Sequence, residues 1–295
     1  MSRDPLAPIR ARLYEVTSAW QSAPSLEAIR RSFDDYLAEV GPAGAAMAEP
    51  RPAPIRPGLD GAWIGEGADC ALYCHGGGFQ IGGVASHASL IARLAAAARM
   101  RMFAFDYRLA PEHRYPAARD DAFDAYRWLL DQGERPAAIV GDSAGGALAL
   151  QTAQRIRDAG MPLPSLIVLI SPWLDLSMQS DSYIELADED PFSKSAQLRL
   201  MAKTYVGRDG PPLASPLVSP LWGDMAGLPP IVVHAGGADI TVGDSRILVD
   251  RVREAGGRVD LRVYPGMCHH FQIYEALPDA QASIDALGTA LQAVA

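Results

Sequence analysis

The stretch AAIVGDSAGGALA, residues 137–149, decides how the rest of this 295-residue chain is read. Its apolar run Ala137, Ala138, Ile139 and Val140 is too short for a helix and reads as a buried strand. Gly141-Asp142-Ser143-Ala144-Gly145 then leads into an Ala/Leu-rich helical pattern. Glycines two before and two after Ser143 leave room for a turn so tight that a side chain at Gly141 or Gly145 would strike neighbouring backbone. Ser143 is thereby raised out of the sheet.

Working outward, the strand pattern at 69–74 ends in His75-Gly76-Gly77-Gly78-Phe79. Three consecutive glycines let backbone N–H groups point together at one spot, which a developing oxyanion requires. An Ala-rich helix capped by Ser86 is expected over 86–100, a strand over 102–107, and a helix over 119–131 after an irregular, proline-punctuated segment in which His113 reads as structural. Beyond the turn the spacing predicts a helix over 144–159, strands at 166–171 and 231–235, a helix at 242–255, a strand at 259–264 and a last helix from Asp279. Such alternation belongs to the α/β class: a mostly parallel sheet with helices on both faces and right-handed crossovers.

Residues 172–230 are too long for one connection and carry their own helical pattern around 194–205, so they read as an insertion above the carboxyl ends of the strands, where ligands bind in open α/β sheets. Two further helical patterns, 9–20 and 25–40, open the chain; the second places Leu26, Ile29, Phe33, Tyr36, Leu37 and Val40 at helical spacing after the cap Ser25. The proline- and glycine-rich segment 41–61 reads as a surface linker. The expected organisation is N-terminal cap helices over 1–45, a catalytic α/β domain over 46–174 and 229–295, and a cap insertion over 175–228.

Composition narrows the function classes. The chain is 49% hydrophobic with net charge −9 and no dense Lys/Arg cluster, which argues against a nucleic-acid partner. Prolines and charges break the N-terminus before an apolar leader could form, and no apolar run approaches bilayer length; a soluble, cytoplasmic protein without stable membrane association is expected. Cys70 and Cys74 lie four apart on an extended segment, so their α-carbons are roughly 13 Å apart and cannot be bridged. Neither they nor Cys268 has the spacing of a zinc site.

A serine hydroxyl is a weak nucleophile that needs a base and a group to orient the base. The strand at 231–235 ends in Gly236-Gly237-Ala238-Asp239, and that at 259–264 ends in Pro265-Gly266-Met267-Cys268-His269-His270-Phe271. A carboxylate and imidazoles thus reach the same end of the sheet as Ser143, in the order Ser, Asp, His. Asp239 is preferred to Asp244, which falls inside a helix. His234, within a buried strand, reads as a core histidine, and Asp142 as a structural carboxylate. Spacing alone does not choose between His269 and His270.

HGGGF at 75–79, DYRLAPEHRYPAA at 106–118, GDSAGG at 141–146 and YPGMCHHF at 264–271 resemble the bacterial hormone-sensitive-lipase-like esterases of the α/β-hydrolase fold, from about residue 60 to the end. The first 60 residues match only in kind, as a cap helix pair. The resemblance implies Ser143 as nucleophile, Asp239 as acid and His269 as base, since the family places its histidine two residues before a phenylalanine, here Phe271. It assigns the oxyanion hole to the N–H groups of Gly77, Gly78 and Ala144 and gives His75 a bracing role. No cofactor or metal is implied. His270 stands where the family usually has glycine, so its bulky side chain is expected to crowd the loop or add a polar contact near the mouth; Ile240-Thr241 stands where the family often has proline and leucine, and altered packing without loss of catalysis is expected.

The resulting expectation is a serine esterase acting on small-molecule esters of short to medium chain length through an acyl-enzyme. The same triad would also serve a lactone hydrolase or deacetylase, whereas retention of Ser143, Asp239 and His269 together disfavours a non-catalytic receptor on this fold. Phe79, Trp173, Trp222 and Met267 are expected to contact substrate, and Tyr14, Trp20, Phe33, Phe192 and Met201 join the two tryptophans as aromatic and methionine residues that would close the cap over Ser143. Family members often dimerise through the sheet edge near the last strand, so the resemblance also implies a homodimer.

Overall fold

Along the central strands, successive side chains face opposite ways, and this period of two splits the core into two layers. The computed structural model describes residues 6–295; the first five residues of the expected N-terminal cap lie outside the described residues. The strands are β1 (Arg51–Pro52), β2 (Gly61–Ile64), β3 (Cys70–Cys74), β4 (Arg101–Phe105), β5 (Ala138–Asp142), β6 (Leu166–Ile170), β7 (Ile231–Gly236) and β8 (Val259–Tyr264). They form one sheet in the order β1-β2-β4-β3-β5-β6-β7-β8. From β4 to β8 every pairing is parallel; β2 runs antiparallel to β4 and β1 antiparallel to β2.

Leu72, Phe103, Phe105, Ile139, Ile167 and Leu169 pack on one face with α5 (Ala117–Asp131), α6 (Ala144–Asp158) and α9 (Val242–Glu254). Their neighbours Tyr73, Met102, Ala104, Val140, Val168 and Ile170 pack on the other face with α4 (Val84–Ala98) and α10 (Pro278–Gln292). Strands so fully buried on both faces are what parallel α/β sheets require. The chain goes from β3 through α4 to β4 on one side, then returns past β3 to place β5 on the other. The carboxyl ends of β3 and β5 therefore flank the point where strand order reverses, the crevice that open α/β sheets use for ligands.

The N-terminal helices are α1 (Ala7–Gln21) and α2 (Leu26–Val40). Ser25 caps α2 by accepting the Ala28 N–H at 3.2 Å, and α2 buries Phe33, Tyr36 and Leu37. The long insertion holds α7 (Ser182–Glu185) and α8 (Ser195–Val206).

Two expectations need correction. Segment 41–61 is only in part the expected surface linker: most of it is exposed, but Pro42–Met47 form α3, which packs on α4, and Leu59 is fully buried. Gly44 explains the difference, because a Cβ there would lie 2.5 Å from the Ser89 carbonyl, so glycine permits a helix approach that its turn-forming reputation conceals. The Glu275 carboxylate accepts the N–H groups of Ala43 and Gly44 and ties α3 down. Ser86 also does not begin its helix. The helix begins at Val84 behind the cap residue Gly83, and Ser86 Oγ reaches back from the first turn to accept the Gly83 N–H at 2.9 Å.

Candidate active site

Ser143 stands between β5 and α6 with φ 49° and ψ −121°, a left-handed conformation that a non-glycine residue adopts only under constraint. The constraint is visible on both sides. Its N–H donates to the Ile170 carbonyl at 2.9 Å, and its own carbonyl accepts from Gly146 and Trp173 at 3.0 Å. A Cβ on Gly141 would lie 2.2 Å from the Gly145 carbonyl oxygen, and one on Gly145 would lie 2.0 Å from that of Cys74. Backbone cannot yield as a side chain can. Gly145→Ala is therefore expected to cost about 3 kcal/mol or more of folding stability, read as a drop in the denaturation midpoint.

Two loops converge on this turn. His269 Nε2 lies 2.8 Å from Ser143 Oγ, and His269 Nδ1 lies 3.0 Å from Asp239 Oδ1. Burial by itself disfavours an imidazolium here, but the charge and hydrogen bond of Asp239, with the charges of Asp190 and Asp142, outweigh it and raise the His269 pKa above its usual value. Asp239 Oδ1 also accepts the Thr241 N–H at 2.7 Å and the Thr241 hydroxyl at 2.8 Å. Thr241, expected to alter packing, instead bonds directly to the carboxylate that faces His269.

The alternative acid Asp244 and the strand histidine His234 have structural partners. Asp244 lies in α9 and accepts from the N–H groups of Leu174 and Asp175 and from the Tyr183 hydroxyl. His234 Nδ1 pairs with Ser283 Oγ at 2.9 Å. His113 is exposed on its loop. His270, adjacent to His269, turns away from Ser143: its Nε2 lies 3.2 Å from Asp142 Oδ2, and burial drives its pKa down to about 4.

The loop after β3 is held open by glycine. Gly77 (φ 110°) and Gly78 (φ 60°) line the same cavity as Ser143 and His269, and a Cβ on Gly77 would lie 2.0 Å from the Ile81 carbonyl oxygen. Ala144 opens α6, where the first N–H groups have no partner within the helix. His75 lies beneath this loop with Nδ1 2.7 Å from the Gly76 carbonyl and its ring stacked on Tyr107 at 4.0 Å. Burial and the neighbouring His87 lower its pKa to about 3.

Above Ser143 is a narrow cavity of about 50 Å³. Its walls come from α1 (Leu13, Thr17, Trp20), α2 (Phe33, Tyr36) and the insertion (Phe192, Gln197, Leu198, Met201). Of the aromatic and methionine residues expected to close over the serine, Trp20, Phe33, Phe192 and Met201 do so, whereas Tyr14 points to solvent.

The four expected substrate contacts are displaced. Phe79, Trp173, Trp222 and Met267 do not line the cavity. Phe79 stacks on Tyr205 at 3.9 Å, Trp173 is fully buried with its indole N–H on the Asp175 carbonyl, Trp222 lies under Arg251 on the α9 side, and Met267 belongs to the core below the histidine loop. Phe79 and Met267 lie within the motifs and Trp173 and Trp222 in or beside the insertion, but none of the four side chains turns to the cavity.

One residue of the site escaped the sequence reading altogether. Asp190, from the insertion, is fully buried and accepts the N–H groups of Phe192, Ser193 and Ile240. Burial and the Asp239 charge raise its pKa to about 6. Only the acidic run Asp188-Glu189-Asp190 just before Pro191-Phe192 marked the place, and nothing in its spacing tied it to Asp239 or His269.

This geometry has close relatives. Residues 71–273 match the family model for the alpha/beta hydrolase fold. An acetyl-hydrolase of Streptomyces hygroscopicus is 38% identical over 224 residues, 75% of this chain and 74% of that one. An esterase of Acinetobacter venetianus is 37% identical over 216 residues, covering 72% and 71%. The crystal structure of an esterase from the bacterial hormone-sensitive lipase family superposes with a TM-score of 0.87 at 32% identity, covering 97% of this chain and 98% of that one. The chain belongs to the α/β-hydrolase fold family, among its esterases of the hormone-sensitive-lipase type.

Proposed function

We propose that this protein is a serine carboxylesterase. The observation that carries the reading is the unbroken contact Ser143 Oγ–His269 Nε2–Nδ1–Asp239 Oδ1 at 2.8 and 3.0 Å, at the mouth of an enclosed apolar cavity. His269 accepts the Ser143 proton as Oγ attacks the ester carbonyl, and Asp239 stabilises the imidazolium that forms. The N–H groups of Gly77, Gly78 and Ala144 receive the oxyanion. His269 passes its proton to the leaving alcohol; water activated by the same imidazole then attacks the acyl-enzyme, the bond to Ser143 Oγ breaks, the acid leaves and the serine regains its proton from His269. Hydrolysis of p-nitrophenyl acetate by the purified protein tests the reading directly; a protein that binds such esters without turning them over would overturn it.

The cavity supports short acyl chains. At about 50 Å³ it is far smaller than the roughly 300–1,000 Å³ typical of drug-sized sites, and Trp20, Phe33, Phe192 and Met201 close it from above. Each added methylene contributes about 0.8 kcal/mol only while there is room to bury it, so kcat/KM should peak at roughly C4 to C6 and fall steeply beyond about C10. Equal or rising values on C14 to C18 esters would require a cap that opens as a unit. In this reading residues up to 45 and 175–228 act as that cap over the catalytic domain.

The raised His269 pKa sets the acid side of the pH profile. Protonated His269 cannot accept the serine proton, so kcat/KM should fall as pH drops through a value above the ordinary imidazole pKa of about 6.5. Asp190→Asn removes one of the charges that raise it and should move this limb to lower pH. An unchanged limb in that variant would remove Asp190 from the site's electrostatics. Among the described residues no helix is long and apolar enough to cross a membrane, and three buried free thiols fit a reducing, cytoplasmic setting. The same reading takes the protein as a homodimer, since β8 ends the sheet with an open edge.

A further inference from the structure

Three side chains from distant segments meet beside the Ser143 turn: His87 in α4, Asp142 at the end of β5 and His270 in the loop after β8. Their facing atoms, His87 Nε2, Asp142 Oδ2 and His270 Nε2, lie within 4.8 Å of one another. Asp142 Oδ2 is 3.5 Å from His87 Nε2 and 3.2 Å from His270 Nε2, and none of the three side chains is more than 3% exposed. None of these three atoms has a hydrogen bond of good distance and angle, although His87 and Asp142 lie close enough to interact. Polar atoms buried in that state are costly and call for an explanation.

The far ends of two of these groups are fixed. Asp142 Oδ1 accepts the Tyr73 hydroxyl at 2.7 Å, which leaves Oδ2 as the free oxygen. Ser86 Oγ donates to the Gly83 carbonyl at 3.0 Å and so offers a lone pair to His87 Nδ1, 2.9 Å away. The proton of His87 is thereby drawn to Nδ1 and Nε2 is left bare, the arrangement that orients metal-binding imidazoles. A bare nitrogen facing a carboxylate oxygen is two acceptors with nothing between them; a cation resolves the conflict. Nitrogen and oxygen ligands held tetrahedrally at about 2.0–2.1 Å from an ion sit about 3.4 Å from each other. The separations of 3.2 and 3.5 Å bracket that value.

We propose that His87, Asp142 and His270 form a binding site for one divalent transition-metal ion of the zinc class, reached through the active-site cavity that His270 lines. His270 is the residue that completes it. With glycine at this position the set would fall to two ligands, and histidine is held there in the left-handed conformation (φ 55°). The other three-residue cluster among the described residues, Asp190, Asp239 and His269, is already committed: Asp239 and His269 are bonded to each other and Asp190 accepts backbone N–H groups.

The test uses the full chain, stripped with a chelator, incubated with Zn²⁺ and freed of unbound ion before the metal is counted. One equivalent per chain is expected, with affinity falling by about 100-fold or more in His270→Gly and His270→Asn, both of which tolerate the left-handed backbone. Asp190→Asn should bind as the parent does. Co²⁺ in place of Zn²⁺ should give the visible absorption of a tetrahedral site in the parent and lose it in His270→Gly. No retained ion in the parent would overturn the proposal. So would unchanged binding in both His270 variants, or loss of the ion in Asp190→Asn with retention in His270→Gly.

Discussion

Replacing Ser143 with alanine is expected to lower turnover of a simple ester by about 10⁴-fold or more while the fold persists. The size comes from the chemistry: without Oγ there is no acyl-enzyme, and only binding and the oxyanion donors remain to accelerate attack by water. Stability should change little, because the strained backbone at Ser143 is held by its own N–H and carbonyl bonds to Ile170, Gly146 and Trp173 and by the glycines around it, none of which alanine disturbs. Thermal unfolding and ester hydrolysis measured on the same preparation separate the two effects. Retention of most of the activity would place the nucleophile elsewhere and remove the basis of the proposed function.

The second large effect is expected at His269, and its sharpest form is a comparison with its neighbour. His269→Ala should be nearly as damaging as loss of the serine, since the imidazole is the group within hydrogen-bond reach of Ser143 Oγ. His270→Gly should change kcat/KM by about tenfold or less, because that ring faces Asp142 and His87. Glycine is the appropriate replacement at a backbone with φ 55°. The opposite ranking would mean that His270 swings toward the serine in the working enzyme.

Much of the fold was legible because the signals were local. Parallel strands buried on both faces must be short and apolar, and β3, β5 and β6 stand out for that reason. Strand ends were misplaced by one or two residues where the pattern ran into glycine or charge, as at Gly236 and Arg101. The segment 41–61 misled because glycine and proline signal turns, yet here Gly44 serves close helix packing and Pro42 begins a helix. Contacts with substrate were the least legible part. Phe79 and Met267 belong to the motifs, but their side chains point into the core, while Leu13, Tyr36 and Gln197 reach the cavity from segments with no motif at all.

The residues by themselves determined the α/β class, the sharp turn at Ser143 and the order Ser, Asp, His, because each depends on short-range sterics: where glycine is needed, how long a strand is and which residues come directly after it. The tertiary structure decided everything that depends on distant segments meeting. It brought Asp190 from the insertion beside Asp239 and His269, chose which cap residues wall the cavity, and set His87, Asp142 and His270 around one point. No spacing along the chain encodes such meetings. The members of that last set come from a helix, a strand end and a loop far apart in sequence, and only the packing of α4, β5 and the histidine loop against one another closes the distance.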